Sequence, residues 1–544
     1  MAPILLPLLT AALMLALGEG SRTLKAVVSV VSAMLGLAVA LALVLWVHAN
    51  DMPAAAGVYL PGNWPVPFGI VLAVDRLSAM MLALSAAVGL AALLFSVARW
   101  DRAGVHFHPL FHLQLMGLNG AFLTADLFNL FVFFEVLLVA SYGLLLHGSG
   151  RTRVRAGLHY ITINLLASSL FLIGVALLYG VTGTLNMADI SQKLPQVPEA
   201  DRGLLHAGAA ILGIAFLAKA ALWPLNFWLP PAYSAASAPV AAVFAMLSKV
   251  GIYAVLRLWT LCFPASAGAS ALFGADVLIW GGLATLGFGT IGMMASLQLG
   301  RLAAFSIIVS SGTLLAAIGF ARATLTGGAL FYLASSTLAV AAMFLLVELA
   351  ERARQAELDP PLADVEGDQL PFFIEAAAAP GTNLDDDEEV LIGRAIPAAL
   401  AFLGLAFVVC ALAIAGLPPL SGFIGKVAML SALIEAGSDG QRWAGWALFA
   451  LLIGSAVLSA VALSRIGIRQ FWAPQDRPAP RLRVIECVPV AALLGACLLL
   501  VVGAGPVLTY TRASAEALHH PAQYIDAVMS ARPRPGSRHE QVTP

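Results

Sequence analysis

The chain has 544 residues, of which 60% are hydrophobic and 11% charged, against about 25% charged in an ordinary soluble domain. That balance excludes a string of soluble domains, and the four cysteines, scattered without a CxxC spacing, give no support to Fe–S or zinc binding. The formal net charge of −1 gives no reason to expect a nucleic-acid partner.

A helix needs about 20 apolar residues to cross the hydrocarbon of a bilayer. Candidate spans lie near residues 2–18, 26–48, 77–98, 107–125, 127–147, 158–181, 204–233, 237–262, 271–296, 301–320, 328–350, 395–437, 443–466 and 484–510. The pattern predicts an all-α polytopic membrane protein of about 14 transmembrane helices. The first span lacks a basic leader and is followed by many others, so it is expected to stay in the mature chain rather than act as a signal peptide.

The loops set the expected orientation. The odd-numbered connections carry 16 basic residues, from Arg22 to Arg483, whereas the even ones carry Lys193, Arg202, Arg322 and Arg442. The positive-inside rule then puts the odd loops in the cytoplasm and both termini outside, on the periplasmic side of a bacterial inner membrane. Residues 351–393 interrupt the run as a hydrophilic insert containing Asp385, Asp386, Asp387, Glu388 and Glu389. A solvated cytoplasmic loop is expected there, and a disordered polar tail after residue 511.

Five lysines occur in the chain, and Lys219, Lys249 and Lys426 stand inside apolar segments. A buried ammonium costs about 2.5–3.5 kcal/mol on insertion scales, so such residues usually serve an ion or proton pathway. Two of the three accompany proline breaks. Lys219 precedes Trp223-Pro224, and Pro418-Pro419 with Gly422 precede Lys426. Broken helices at matching places in two halves point to a transport site, because the freed backbone carbonyls need neighbours, water or ions.

Glu135, near the middle of the fifth span, must be paired, protonated or facing water. Lys219 is its expected partner. Burial disfavours the charged form of a lysine and a nearby carboxylate favours it, so neutralising Glu135 could switch the lysine between holding and releasing a proton. Arg257 is expected near a helix end, snorkelling, and Asp75, Asp126 and Asp276 at span edges as caps. His106, His108 and His112 have a spacing compatible with a metal on one helical turn, though packing or interfacial roles fit them better, as they do His159 and His206. No Walker A motif, dinucleotide-binding glycine fingerprint or nucleophile elbow occurs in a suitable setting, and no cofactor or metal is expected.

Four stretches carry a family likeness: LFNLFVFFEVLLVASYGLLLHG, YGVTGTLNMADI, FLAKAALWPLNFWLPPAYSAASAPVAAVFAMLSKVGIYAVLRL and GLPPLSGFIGK. The chain resembles the antiporter-like subunits of respiratory complex I and, more closely, the D subunits of multisubunit Mrp/Pha-type monovalent cation (Na⁺ or K⁺)/H⁺ antiporters. The resemblance covers nearly the whole chain. It implies a proton path through Glu135, Lys219, Lys249 and Lys426, with helix breaks at Pro224, Pro418 and Pro419. It also implies two inverted five-helix repeats, each containing a broken helix, at 106–262 and 271–466. Peripheral helices would occupy 1–105, a last helix 484–510 and a short polar tail 511–544. Ser335 stands where many relatives carry a histidine, which leaves the link between Lys249 and Lys426 open.

The expected role is therefore proton translocation coupled to Na⁺ or K⁺ export, not enzymatic turnover, within a hetero-oligomer in the lipid bilayer. Three rivals remain: a redox-driven complex I or membrane-hydrogenase subunit, a structural scaffold with static buried ion pairs, and an autonomous solute transporter.

Overall fold

The computed structural model describes every residue except 18–20, 51–55, 105, 149, 359–397, 436–440, 473–481 and 534–544. Helices α1 (Ala2–Ala16), α2 (Arg22–Ala49), α3 (Arg76–Val97), α4 (Phe107–Leu123), α5 (Leu127–Leu146) and α6 (Arg151–Thr182) come first. A short α7 (Met187–Lys193) leads to α8 (Glu199–Lys219), α9 (Leu229–Ala235) and α10 (Ala238–Cys262). Then follow α11 (Ala275–Ala295), α12 (Leu299–Gly319), α13 (Ala323–Leu358), α14 (Ala398–Ala415), α15 (Ser421–Glu435) and α16 (Arg442–Gly467). The chain closes with α17 (Val484–Val502), α18 (Ala504–His519) and α19 (Ala522–Met529).

Among the described residues, twelve helices are long and apolar enough to cross a membrane. The chain is a multi-pass membrane protein. Of the expected spans, α1 and α4 fall just short of that length, at 15 and 17 residues. Polar side chains fix several helix starts. Asp75 accepts from the backbone N–H of Ser78 at the head of α3, Asp126 from that of Asn129 at the head of α5, and Asn186 from those of Ala188 and Asp189 at α7.

The helices are sorted by their surroundings. α10 and the apolar part of α13 are buried along their whole length, whereas α2, α16 and α17 turn most of their surface outward. Exposed leucine, valine and tryptophan on those outer helices is the surface expected where lipid or another subunit takes the place of water. The central position of α10 and α13 matters because their polar residues have no access to bulk water except through the protein.

Two sequence expectations are corrected, and one small element had none. The tail is not wholly disordered: after a turn at Gly503, α18 folds back against α3 and α13, and α19 follows. Tyr510 donates to the Arg76 carbonyl at 2.7 Å, and Val528 is fully buried. The insert expected from residue 351 begins as helix, since α13 runs to Leu358; the rest of it, with the acidic cluster, lies outside the described residues. Between α2 and α3 a small antiparallel hairpin pairs β1 (Gly57–Tyr59) with β2 (Leu72–Val74), two strands too short to leave a periodic signal.

Candidate functional site

Both expected breaks are present. The first separates α8 from α9 at residues 220–228, and Lys219 is the last residue of α8. Pro224 lies in the break, where it cannot donate to a helical ladder. Ala221 adopts φ 58°, a left-handed conformation unusual for a residue with a Cβ. The freed backbone groups are met from the side. Trp228 Nε1 donates to the Ala218 carbonyl at 3.2 Å, and the Trp223 N–H donates to Thr285 Oγ1 at 2.8 Å. Gly251 of α10 lies against this turn, and a Cβ there would come within 2.7 Å of the Ala220 nitrogen.

Lys219 Nζ sits 5.1 Å from the centre of the Phe134 ring, in a cleft shared with Tyr160, Asn164, Trp228, Leu247 and Val250. Glu135, the next residue on α5, lies within electrostatic reach of Lys219. The two do not make a direct ion pair, and Glu135 Oε1 is buried with no hydrogen-bond partner. An ammonium and a carboxylate near each other yet not locked together can still exchange solvation partners, which a bidentate pair cannot.

The second break separates α14 from α15 at residues 416–420 and contains Pro418 and Pro419. Lys426, on the second turn of α15, returns across it: Nζ donates at 2.8 Å to the carbonyl of Ala415, the last residue of α14. The α14 C-terminus carries partial negative charge as well as a free carbonyl, so it is a natural seat for an ammonium. Gly422 permits this closeness, because a Cβ there would overlap the Ala413 carbonyl oxygen.

Lys249 lies between the breaks, on the central α10, and is 2% exposed. Its Nζ donates to Ser310 Oγ of α12 at 2.8 Å, and Ser310 Oγ is 3.0 Å from Ser336 Oγ of α13. Ser335, beside Ser336, is hydrogen-bonded at 2.7 Å to Ser421, the first residue of α15. Hydroxyls thus continue from Lys249 into α13 and from α13 to the helix that holds Lys426. Between Ser336 and Ser335 no direct bond closes the line, since the adjacent residues point to different neighbours. A serine hydroxyl both donates and accepts, so this arrangement supplies polar contacts where many relatives were expected to place an imidazole.

One charged residue lies elsewhere than expected. Arg257 is not a snorkelling residue: it is buried and forms a bidentate pair with Asp75, at 2.6 and 2.7 Å, beneath the rings of Tyr253 and Tyr524. Burial alone works to raise the Asp75 carboxyl, but the Arg257 charge and the bonds from Arg257 and Ser78 outweigh it and hold the group below its usual range. A second cluster leaves no sign in the sequence. Glu348 Oε2 accepts from Trp100 Nε1 at 2.7 Å, and Arg352 bridges Glu348 and Glu486 at 3.4 and 2.8 Å.

Asp276 lies in the first turn of α11. His206 stacks on Phe273 at 4.4 Å and bonds to Ser270, and His159 is exposed with its ring bonded to the Arg155 carbonyl. No group of three or more metal-ligating side chains occurs among the described residues.

The chain is similar to several known proteins. Residues 124–360, which hold Glu135, Lys219 and Lys249, match the family described as NADH:quinone oxidoreductase/Mrp antiporter, TM. The probable K⁺/H⁺ antiporter D subunit of Rhizobium meliloti is 52% identical over 542 residues, covering 98% of each chain. The Na⁺/H⁺ antiporter D subunit of Alkalihalophilus pseudofirmus is 32% identical, covering 97% of this chain and 98% of its own. A chain in the structure of the Mrp complex from Dietzia sp. superposes with a TM-score of 0.80 at 26% identity, covering 97% of this chain and 98% of that one. The protein therefore belongs to the family of antiporter D subunits.

Proposed function

We propose that this chain is the proton-translocating subunit of a multisubunit monovalent cation/proton antiporter, exchanging external H⁺ for internal Na⁺ or K⁺ across the bacterial cell membrane. The observation that carries the reading is the set of three lysines, one at each helix break and one on the central helix between them. Protons would pass by way of Glu135, Lys219, Lys249 and Lys426. The driving principle is charge repulsion: a proton gained at one site lowers the affinity of the next, so the array fills and empties in sequence. Ser310 and Ser336 would carry the line onward from Lys249, and Ser335 with Ser421 would serve the second break.

The two inverted repeats, 106–262 and 271–466, would be the helices from α4 to α10 and from α11 to α16. Each of these stretches has an interrupted helix before its last long one, which supports the assignment. The chain would work with other subunits, since the relatives are named as antiporter subunits. The distribution of basic loops favours both termini on the outer side.

The test is Na⁺- and K⁺-driven proton flux in inverted vesicles carrying the full complex, with wild type compared with Lys219→Ala at equal complex abundance. Loss of flux from an assembled complex is the expected result; unchanged flux would remove Lys219 from the path. Ser310→Ala should give a milder defect, slowing exchange several-fold without loss of assembly, because Lys249 keeps its charge and loses a hydroxyl partner. Equal exchange rates in wild type and Ser310→Ala would exclude the serine from the route.

A further inference from the structure

The N-terminal helices contain a second buried polar thread that the lysine array does not use. His108 and His112 stand one turn apart on α4 and are 6% and 1% exposed. Ser29 of α2, fully buried, lies between them: its Oγ is 3.1 Å from His108 Nδ1 and 2.9 Å from His112 Nε2. The two outer nitrogens, His108 Nε2 and His112 Nδ1, are buried and have no hydrogen-bond partner.

The two rings open on different cavities. His108 borders one lined by Arg22, Lys25, Asp101 and His106, on the side of the arginine-bearing loops. His112 borders the other, which runs between α1, α2, α3 and α4 past Ser85 and Ser32 to Asn119 and Pro3. Asn119 Nδ2 donates to the Pro3 carbonyl at 2.8 Å, at the opposite end of α1 from the arginine-bearing loop. Seven residues of helix at about 1.5 Å each put Asn119 roughly 10 Å beyond His112. Ser32 and Thr10, 2.7 Å apart, add hydroxyls to the same interhelical region.

We propose that His108, Ser29 and His112 form a proton wire, giving α1–α4 a proton-conducting route separate from the lysines. A proton binds His108 Nε2 as His108 Nδ1–H passes its proton to Ser29 Oγ. Ser29 passes its own proton to His112 Nε2, and His112 releases one from Nδ1 into the second cavity. One proton enters and one leaves, no other bond changes, and the rings and hydroxyl then turn over to reset the wire. Imidazole nitrogens suit a proton and not Na⁺ or K⁺, which as hard cations take oxygen ligands. His108 faces Lys25 and Arg22 from α2, Asp101 from the 100–102 turn and His147 from the end of α5, while His112 faces His108. Leu6, Ala33, Leu82 and Leu115 in the second cavity supply an apolar stretch that conducts when water fills it and not when it is dry.

The inference rests on the chain working in a proton-moving assembly, and the experiment separates the two. The full complex in liposomes is given a pH gradient without Na⁺ or K⁺, and proton flux is recorded for wild type, Lys219→Ala and His112→Gln. Glutamine keeps a hydrogen bond to Ser29 but cannot take up and release a proton. His112→Gln is expected to cut the cation-free flux by about 100-fold and to leave cation-driven exchange in place; a cation-free flux lost in Lys219→Ala and kept in His112→Gln would belong to the lysine path and overturn the wire. Equal cation-free flux in wild type and His112→Gln would overturn the wire, and so would a wild-type flux no greater than that of empty liposomes. Should His112→Gln fail to assemble, Ser29→Ala, which removes the bridging hydroxyl alone, decides by the same criteria.

Discussion

Replacing Asp75 by serine should lower the thermal stability of the purified complex by the equivalent of about 3–5 kcal/mol, the range for removing one partner of a buried ion pair. Serine is chosen because it can still cap α3 by accepting from the Ser78 N–H, so the loss reports the charge and not the cap. The Arg257 side chain is 7% exposed and would be left as an uncompensated cation between α3, α10 and α19. A second substitution, Arg257→Met, should restore most of the loss by removing the stranded charge and filling the space with an apolar chain. The pH dependence follows from the lowered carboxyl: the contribution is whole above the unfolded value near pH 4 and fades as pH falls through the folded one. Melting curves of wild type, Asp75→Ser and the double variant at neutral pH decide the matter. Identical curves for the first two would show that the pair adds nothing.

Gly422→Ala should abolish transport. The new methyl group would overlap the Ala413 carbonyl oxygen, a backbone atom that no rotamer change can move. α15 must therefore shift away from α14, and the 2.8 Å bond from Lys426 Nζ to the Ala415 carbonyl breaks with it. Cation-driven exchange is expected to fall to the level of vesicles without the complex. Gly454→Ala on α16 is the control, since a Cβ there meets nothing within 4 Å, and alanine favours a helix by up to about 1 kcal/mol over glycine. Normal exchange by Gly422→Ala would mean that the contact between the two half-helices is not needed for transport.

The membrane class, both breaks and the three lysines are legible in the sequence for one reason: each violates a simple rule. An apolar run of twenty residues, a proline inside such a run and an ammonium inside such a run are costly features that leave marks in composition. The hydroxyls leave no such mark. A serine in a membrane helix commonly bonds back to its own helix, as Ser306 does to the Ala303 carbonyl, so nothing in the sequence separates it from Ser310, which reaches Lys249. The pairing of Arg257 is hidden because its partner lies 182 residues away, and an arginine near a helix end reads as snorkelling unless that partner is known. The C-terminal helices are hidden because their polar composition resembles a solvated tail, yet Tyr510, Tyr524 and Val528 anchor them to the core.

The pairing of Asp75 with Arg257 under Tyr524 also has a bearing on how the chain is made. At about 5–20 residues per second, a ribosome needs roughly 10–40 s to travel from the aspartate to its arginine. During that interval α3 carries a carboxylate at its head without its arginine, and the Tyr524 cover is made later still. Until α10 is made, the Asp75 carboxylate has only the local cap to Ser78, so this ion pair closes late and ties the start of α3 to a helix made long after it.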